Sequence, residues 1–99
     1  MPKVLLTISY TIKPEKRQAY LALAKEMKDH FTQVRKKDYS IYEGKVKKNQ
    51  FTEIFTTGSA EEFEALDDNL DERSEALVNK LEEYVDADGI KYNSIIELA

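Results

Sequence analysis

The sequence has no cysteine and no tryptophan, and it has only one histidine, two prolines and three glycines among 99 residues. Without cysteine there is no disulfide framework, thiolate metal site or thiol nucleophile. No apolar run approaches the ~20 residues that cross a membrane, and no secretory signal region is present, which predicts a soluble, cytoplasmic protein. The net charge of −4 argues against binding a polyanion. We therefore expect neither a nucleic-acid partner nor a membrane partner.

The residues that are present suffice for one hydrophobic core. The apolar fraction is 41%, with four Phe and six Tyr. A chain of this length is too short for two independent cores. We therefore predict a single domain over residues 1–99.

Hydrophobic periodicity predicts six elements in the order β-α-β-β-α-β. Strands are expected at 4–12, 39–46, 51–57 and 90–98, and helices at about 14–34 and 59–85, the second with a break at 67–69. The buried stripe of the first helix should comprise Tyr20, Leu23, Ala24, Met27, Phe31 and Val34. This order predicts an α+β, ferredoxin-like fold, in which both helices lie on one face of a four-stranded antiparallel sheet.

The uncovered face of that sheet predicts self-association. Leu5 lies among hydroxyl residues on the less apolar face of the first strand, and Ile54 alternates with two threonines on one face of the third. A sheet face that is half apolar and open to solvent favours aggregation unless another protein surface covers it. We predict a homodimer that pairs sheet to sheet as a dimeric α/β barrel.

Several segments resemble the ferredoxin-like dimeric α/β-barrel family that includes the antibiotic biosynthesis monooxygenases. The resemblance is carried by Ile12-Lys13-Pro14-Glu15-Lys16, Ala22-Leu23-Ala24-Lys25-Glu26, Tyr39-Ser40-Ile41-Tyr42-Glu43, Phe51-Thr52-Glu53-Ile54-Phe55 and Ser59-Ala60-Glu61-Glu62-Phe63. It implies a fold shared by cofactor-independent oxygenases, haem-degrading enzymes and small-molecule isomerases. The monooxygenase branch often has a histidine in the helix after strand three, which residues 63–67 lack, and the haem-degrading branch uses a tryptophan, which this chain lacks.

From the resemblance we expect a cofactor-independent, monooxygenase-like enzyme that uses no metal and acts on a small apolar or aromatic ligand. The alternative is a non-catalytic dimeric ligand-binding or scaffolding module, its barrel packed solid by Phe51, Phe55 and Leu5. The volume of the cavity separates the two, since a ligand pocket needs roughly 300 Å³ or more.

Two titratable residues are candidates for proton transfer. Glu53 lies between two phenylalanines, and burial would raise its pKa. If it points between the paired sheets, it could exchange a proton beside Tyr42 or Tyr92. His30, the only histidine, is either a general base or a surface residue flanking the core. The surface interpretation is favoured because no second metal ligand stands at a supporting spacing.

Hydroxyl groups supply the candidate ligand-binding residues. Thr7 and Ser9 share one face of the first strand and could orient a polar ligand, together with Tyr42 and Tyr92. Hydrogen bonding between hydroxyls of neighbouring strands explains Thr7 and Ser9 equally well.

Two further interpretations fail on the sequence. The segment 86–89 resembles part of a calcium loop, but Tyr84 and Ile95 stand where oxygen ligands are needed. Phe51 and Phe55 could imitate the base-stacking aromatics of an RNA-recognition module, but Glu53 between them would repel phosphate. We expect a turn and a strand with no role in either kind of binding.

Overall fold

Four strands form one antiparallel sheet in the computed structural model, which describes residues 2–65 and 71–98. They are β1 (Val4–Thr11), β2 (Asp38–Glu43), β3 (Gln50–Thr57) and β4 (Lys91–Ile96), in the spatial order β2-β3-β1-β4. The helices are α1 (Arg17–Asp29), α2 (Ala60–Glu64) and α3 (Glu72–Tyr84). The predicted α+β, ferredoxin-like arrangement is therefore confirmed. Among the described helices, none is both long and apolar enough to cross a membrane.

Local capping groups mark the starts of the helices. Pro14 begins a short 3₁₀ turn that leads into α1, and the Ser59 hydroxyl accepts a hydrogen bond from the Glu62 backbone N–H at the start of α2. The Asp71 carboxylate accepts one from the Ser74 N–H at the start of α3. The predicted break at 67–69, with Leu66 and Leu70 of the predicted stripe, lies outside the described residues.

The core lies between one face of the sheet and the helices. Alternation along β1 places Val4, Tyr10 and the following Ile12 on this face, all buried. The α1 stripe packs on it, with Tyr20, Leu23, Met27 and Phe31 buried as predicted, and α3 adds Leu77 and Leu81. None of the described helices packs on the opposite face of the sheet, where Leu5, Thr7 and Ser9 are only partly covered.

One predicted strand boundary and one predicted buried residue are wrong. The second strand ends at Glu43 rather than residue 46, because the Gly44 N–H already donates to the Gln50 carbonyl and closes the hairpin. Val34 was expected in the buried stripe but is 67% exposed. The α-helix gives way at His30 to a π turn (His30–Val34), whose wider ring turns its last residue, Val34, away from the core face.

The loop after this turn contains a residue in the left-handed region. Lys36 has φ of 56°, a conformation that is strained for a residue with a Cβ. Its neighbours are held by backbone hydrogen bonds from Arg35 N–H to the His30 carbonyl (2.9 Å) and from Lys37 N–H to the Phe31 carbonyl (2.8 Å). The loop therefore enters β2 along a fixed path.

Lys36→Gly should stabilise the protein by about 0.5–1 kcal/mol, because glycine adopts this φ without steric strain. The measurement is the urea midpoint of unfolding at constant denaturant slope. Lys45→Gly removes the same side chain from an exposed loop position where φ is not positive, and should be neutral or slightly destabilising. An equal effect of the two substitutions would contradict the assignment of strain to Lys36.

Candidate functional site

Glu53 is a buried acid in the middle of the sheet. The alternation of β3 places it on the same face as Phe51, towards the helices, opposite Ile8 of β1 and Ile41 of β2. Only 4% of the residue is exposed. The expectation that Glu53 lies at a seam between paired sheets, filled by Phe51, Phe55 and Leu5, is therefore corrected: the two phenylalanines face the helices with Glu53, and Leu5 lies on the open face.

Tyrosine hydroxyls surround the Glu53 carboxyl group. The Tyr39 hydroxyl donates to Oε1 of Glu53 at 2.5 Å, and the Tyr10 hydroxyl lies near enough to the carboxyl group to influence its pKa. The Tyr10 and Tyr20 hydroxyls are in turn 2.7 Å apart. A connected chain of polar groups therefore runs through an apolar core, and every described buried side-chain polar atom has a partner.

Burial controls the ionisation of this cluster. It raises the pKa of Glu53 above its ordinary value, and the hydrogen bonds from Tyr39 and Tyr10 offset part of the rise. Burial also raises the pKa of Tyr10, Tyr20 and Tyr39, and the nearby Glu53 carboxylate adds to the effect. The tyrosines therefore remain neutral hydrogen-bond donors, and Glu53 is the group in this cluster whose carboxyl proton is retained to a higher pH than in an exposed glutamate.

A cavity of about 210 Å³ lies between the sheet and the helices beside Glu53. Its walls are mostly apolar and come from both layers, including Ile8 and Phe55 of the sheet and Met27 of α1. Its polar lining residues are Glu53, Ser74, Tyr92, Arg35 and Lys37. An acid with a raised pKa thus lines a mostly apolar cavity, which is the setting in which a carboxyl group can act on a bound ligand.

His30 is not the surface residue that the favoured interpretation expected. It is 7% exposed, because the π turn directs it between α1 and α3. Its Nε2 lies 2.9 Å from the Ser74 Oγ and 3.4 Å from Oδ1 of Asp71. Because both contacts involve the same ring nitrogen, His30 does not relay a proton between Asp71 and Ser74, and it is not among the residues that line the cavity.

Asp71 anchors this polar cluster. Hydrogen bonds from the Ser74 side chain, then from its backbone N–H, lower the pKa of Asp71 to about 2, and His30 adds a smaller effect. The carboxylate therefore stays ionised near neutral pH. We interpret the cluster of His30, Asp71 and Ser74 as a set of polar contacts that links the end of α1 to the start of α3.

The structure separates the candidate ligand-binding residues into two sets. Tyr92 lies opposite Ile8 on the helix-covered face and lines the cavity with Glu53. Thr7, Ser9 and Tyr42 belong to the open face. There the Thr7 hydroxyl donates to the Asn93 carbonyl, and the Ser9 and Thr52 hydroxyls are 3.1 Å apart. Thr7, Ser9 and Tyr42 therefore do not share a site with Glu53 in one subunit.

The sequence interpretation missed the tyrosines that hold Glu53 and the basic residues beside the cavity. The alternation of apolar residues could have identified the two tyrosines, since Tyr10 and Tyr39 fall on the buried faces of their strands. In the structure they lie two positions from Ile8 and Ile41, which flank Glu53, and such diagonal neighbours are within reach of aromatic side chains.

The remaining sequence candidates have simple structural roles. Segment 86–89 forms a turn, in which the Gly89 N–H donates to the Asp86 carbonyl and Gly89 has φ of 77°. Phe51 is 3% exposed and packs against Tyr20, with ring centroids 4.3 Å apart, so it offers no surface for stacking bases. In residues 2–65 and 71–98 no three His, Asp or Glu side chains cluster closely enough to hold a metal ion.

Comparisons with known proteins identify structural relatives. No protein-family profile and no curated protein sequence matches the chain. A conserved protein from Methanosarcina mazei Go1 superposes with a TM-score of 0.79 at 17% identity, covering 96% of this chain and 92% of that one. A Bacteroides thetaiotaomicron protein of unknown function, described as a possible oxidoreductase, gives 0.73 at 16% identity, with coverage of 95% and 96%.

The third relative carries the name of an activity. A solved antibiotic biosynthesis monooxygenase superposes with a TM-score of 0.69 at 18% identity, covering 100% of this chain and 98% of that one. At such identities the likeness shows the fold alone. The chain thus has the ferredoxin-like fold of the antibiotic biosynthesis monooxygenases, as the resemblance in its sequence predicted.

Proposed function

We propose that the protein is a monooxygenase-like enzyme that uses neither metal nor flavin and acts on a small apolar or aromatic molecule. The observation that carries the proposal is the position of Glu53, a carboxyl group that is almost fully buried and yet lines the cavity. The likeness in fold to a protein named as an antibiotic biosynthesis monooxygenase supports this class of reaction.

In this proposal ionised Glu53 accepts a proton from an electron-rich CH₂ group of the substrate. The carbanion transfers one electron to O₂, and the substrate radical and superoxide combine to form a C–O bond. The peroxide anion takes back the proton from Glu53, and loss of water leaves a carbonyl group. The sum is CH₂ + O₂ → C=O + H₂O, with O₂ as the only oxidant.

The neighbouring residues have defined parts in this scheme. Tyr39 and Tyr10 hold the Glu53 carboxyl group in one orientation, and their neutral hydroxyls stabilise its ionised form. The apolar walls keep water away from the carbanion. His30 has no step in this scheme, because its ring contacts Ser74 and Asp71 instead of lining the cavity.

Glu53→Gln should lower the rate of protein-dependent oxygen consumption by about 10²–10⁴-fold, the range for loss of a general base. The assay follows O₂ uptake with a panel of benzylic ketones and cyclic diketones that have acidic CH₂ groups, in the presence of EDTA. The wild-type rate should rise with pH as Glu53 ionises.

The exposed substitution Glu64→Gln makes the same change of charge and should leave the rate unchanged. His30→Gln should lower it much less than Glu53→Gln. If Glu53→Gln retains the wild-type rate, or if EDTA abolishes the activity, the proposed mechanism is wrong.

The size of the cavity favours a second candidate, a non-catalytic module that acts as a scaffold or binds only ligands smaller than a drug-sized molecule. About 210 Å³ is below the ~300 Å³ typical of pockets for drug-sized ligands. In that case the protein binds small apolar molecules without consuming oxygen, and Glu53→Gln alters affinity alone.

We also propose that the protein is a homodimer that pairs through its open sheet face. Leu5, Ile54 and Ile95 lie on this face, and Ile95 is 45% exposed. The edge strand β4 is exposed along its whole length, which favours a partner that covers it. A second copy presents the same uncharged centre of the sheet and would bury both faces at once.

A further inference from the structure

Two basic side chains line the otherwise mostly apolar cavity. They are Arg35 and Lys37, both partly exposed, whereas Glu53 in the same lining is buried. The cations therefore lie in a partly exposed section of the lining, whereas the acid lies in a buried one. The chain as a whole has a net charge of −4, so this pair is a local feature of the cavity.

The backbone fixes the segment that carries both residues. The Arg35 N–H donates to the His30 carbonyl and the Lys37 N–H to the Phe31 carbonyl, with Lys36 between them in the left-handed conformation. Because these bonds hold the backbone of the segment, the cations need little backbone ordering on binding. Such preorganisation reduces the entropic cost of association.

Neither cation is fully engaged by an acidic neighbour. Arg35 Nη1 is 3.9 Å from Oδ2 of Asp71, which is too long for a hydrogen bond, and the other Asp71 oxygen already accepts from the Ser74 N–H. Lys37 forms no ion pair with any described residue of the chain. Donors for an anion are therefore available in the partly exposed section of the cavity lining.

The volume limits the apolar part of the ligand. An apolar cavity of ~150 Å³ is large enough to bind benzene. The remaining volume of the ~210 Å³ cavity accommodates one small substituent but not a second fused ring. Aromatic side chains in or beside the lining, among them Phe31 and Phe55, suit a flat ring.

We propose that this cavity binds a single-ring aromatic carboxylate, with the ring against Phe31 and Phe55 and the carboxylate at Arg35 and Lys37. This places the ring between the cations and Glu53, so the ring substituent opposite the carboxylate is the one that Glu53 reaches. The inference rests on the proposed function for its use of the cavity, and it adds the class of ligand.

Benzoate and benzamide are the probes, because they have nearly the same shape and differ in charge. Isothermal titration at low salt should show that benzoate binds the wild-type protein about tenfold more tightly than benzamide, as expected for a charge-assisted contact. In the double variant Arg35→Gln, Lys37→Gln, benzoate should bind at least about tenfold more weakly, and benzamide should bind as before. High salt should weaken benzoate binding alone.

Lys36→Gln is the control, since it removes one positive charge from the residue between the two, and Lys36 does not line the cavity. It should leave benzoate binding within about twofold of wild type. Circular dichroism establishes that each variant is folded. Equal binding of the two probes to wild type, no binding of either, unchanged affinity in the double variant, or an equal loss in Lys36→Gln would each overturn the inference.

The outcome is separable from that of the proposed function. Charge-dependent binding of benzoate without any oxygen consumption upholds the ligand class and removes the enzymatic proposal. Oxygen consumption that depends on Glu53, with neutral substrates and without benzoate binding, does the reverse.

Discussion

Replacing Glu53 by glutamine should remove a large part of the pH dependence of stability. The pKa of Glu53 is raised in the folded protein by burial, so above the ordinary pKa of glutamate the folded state binds more protons than the unfolded state. The free energy of unfolding therefore falls as pH rises from the unfolded pKa towards the folded one. The slope from this residue is at most about 1.4 kcal/mol per pH unit.

Glutamine keeps the shape of the side chain and leaves the tyrosines with partners. Its amide oxygen can accept from the Tyr39 hydroxyl, and its NH₂ group can donate to the Tyr10 oxygen while Tyr10 donates to Tyr20. Because the amide does not ionise, its burial costs the same at every pH. The variant should be more stable than wild type at alkaline pH, and the advantage should shrink towards pH 4.

The measurement is the urea-unfolding free energy of both proteins at several pH values between 4 and 9. Glu64→Gln, on the exposed side of α2, changes the net charge equally and should follow the wild-type curve. A constant difference between wild type and Glu53→Gln across this range would mean that the Glu53 carboxyl group is not perturbed by the fold.

Tyr39→Phe tests the other half of the same cluster. It removes the 2.5 Å hydrogen bond to Glu53 without changing the ring that packs against Phe55. The pKa of Glu53 should rise further, so the loss of stability with pH should extend to higher pH than in wild type. This result would assign the perturbation to Glu53 and its hydrogen bonds rather than to net charge.

The sequence predicted the fold well because periodicity is a local property. Alternation over residues 4–12 and helical spacing over 20–31 each identify an element and its buried side. The order of the elements then restricts the topology to a few arrangements. Val34 was misplaced because the widened turn at 30–34 depends on packing beyond the local pattern.

The site was predicted less well because it depends on registers and on distant segments. Glu53 was identified as the notable acid. The sequence of β3 does not show which face of the sheet it occupies, because both faces of this strand carry apolar residues. Its contact with Tyr39 requires the pairing of Tyr39 with Phe55, which only the folded sheet defines. His30 meets Asp71 and Ser74 across 41 and 44 residues of chain.

The homodimer proposal predicts that a charge at the centre of the open face separates the subunits. Ile54 lies on the central strand β3, opposite Thr7 of β1 and Ser40 of β2, with no charged residue directly beside it on this face. In a sheet-to-sheet dimer, Ile54→Lys would bury two ammonium groups between facing sheets ~10 Å apart. The dimer should dissociate, with its dissociation constant raised by about 100-fold or more.

Sedimentation velocity at micromolar concentration provides the measurement, with wild type as a dimer and Ile54→Lys as a folded monomer. Leu21→Lys makes the same type of change on α1, where Leu21 is 39% exposed on the helix-covered side of the molecule, and should stay dimeric. A second open-face variant, Thr52→Lys, should also be monomeric, which would show that the loss of the dimer is not specific to position 54. Because Glu53 and its cavity lie on the other face of the sheet, a wild-type protein that sediments as a monomer would remove the dimer proposal and leave the cavity chemistry to be judged on its own.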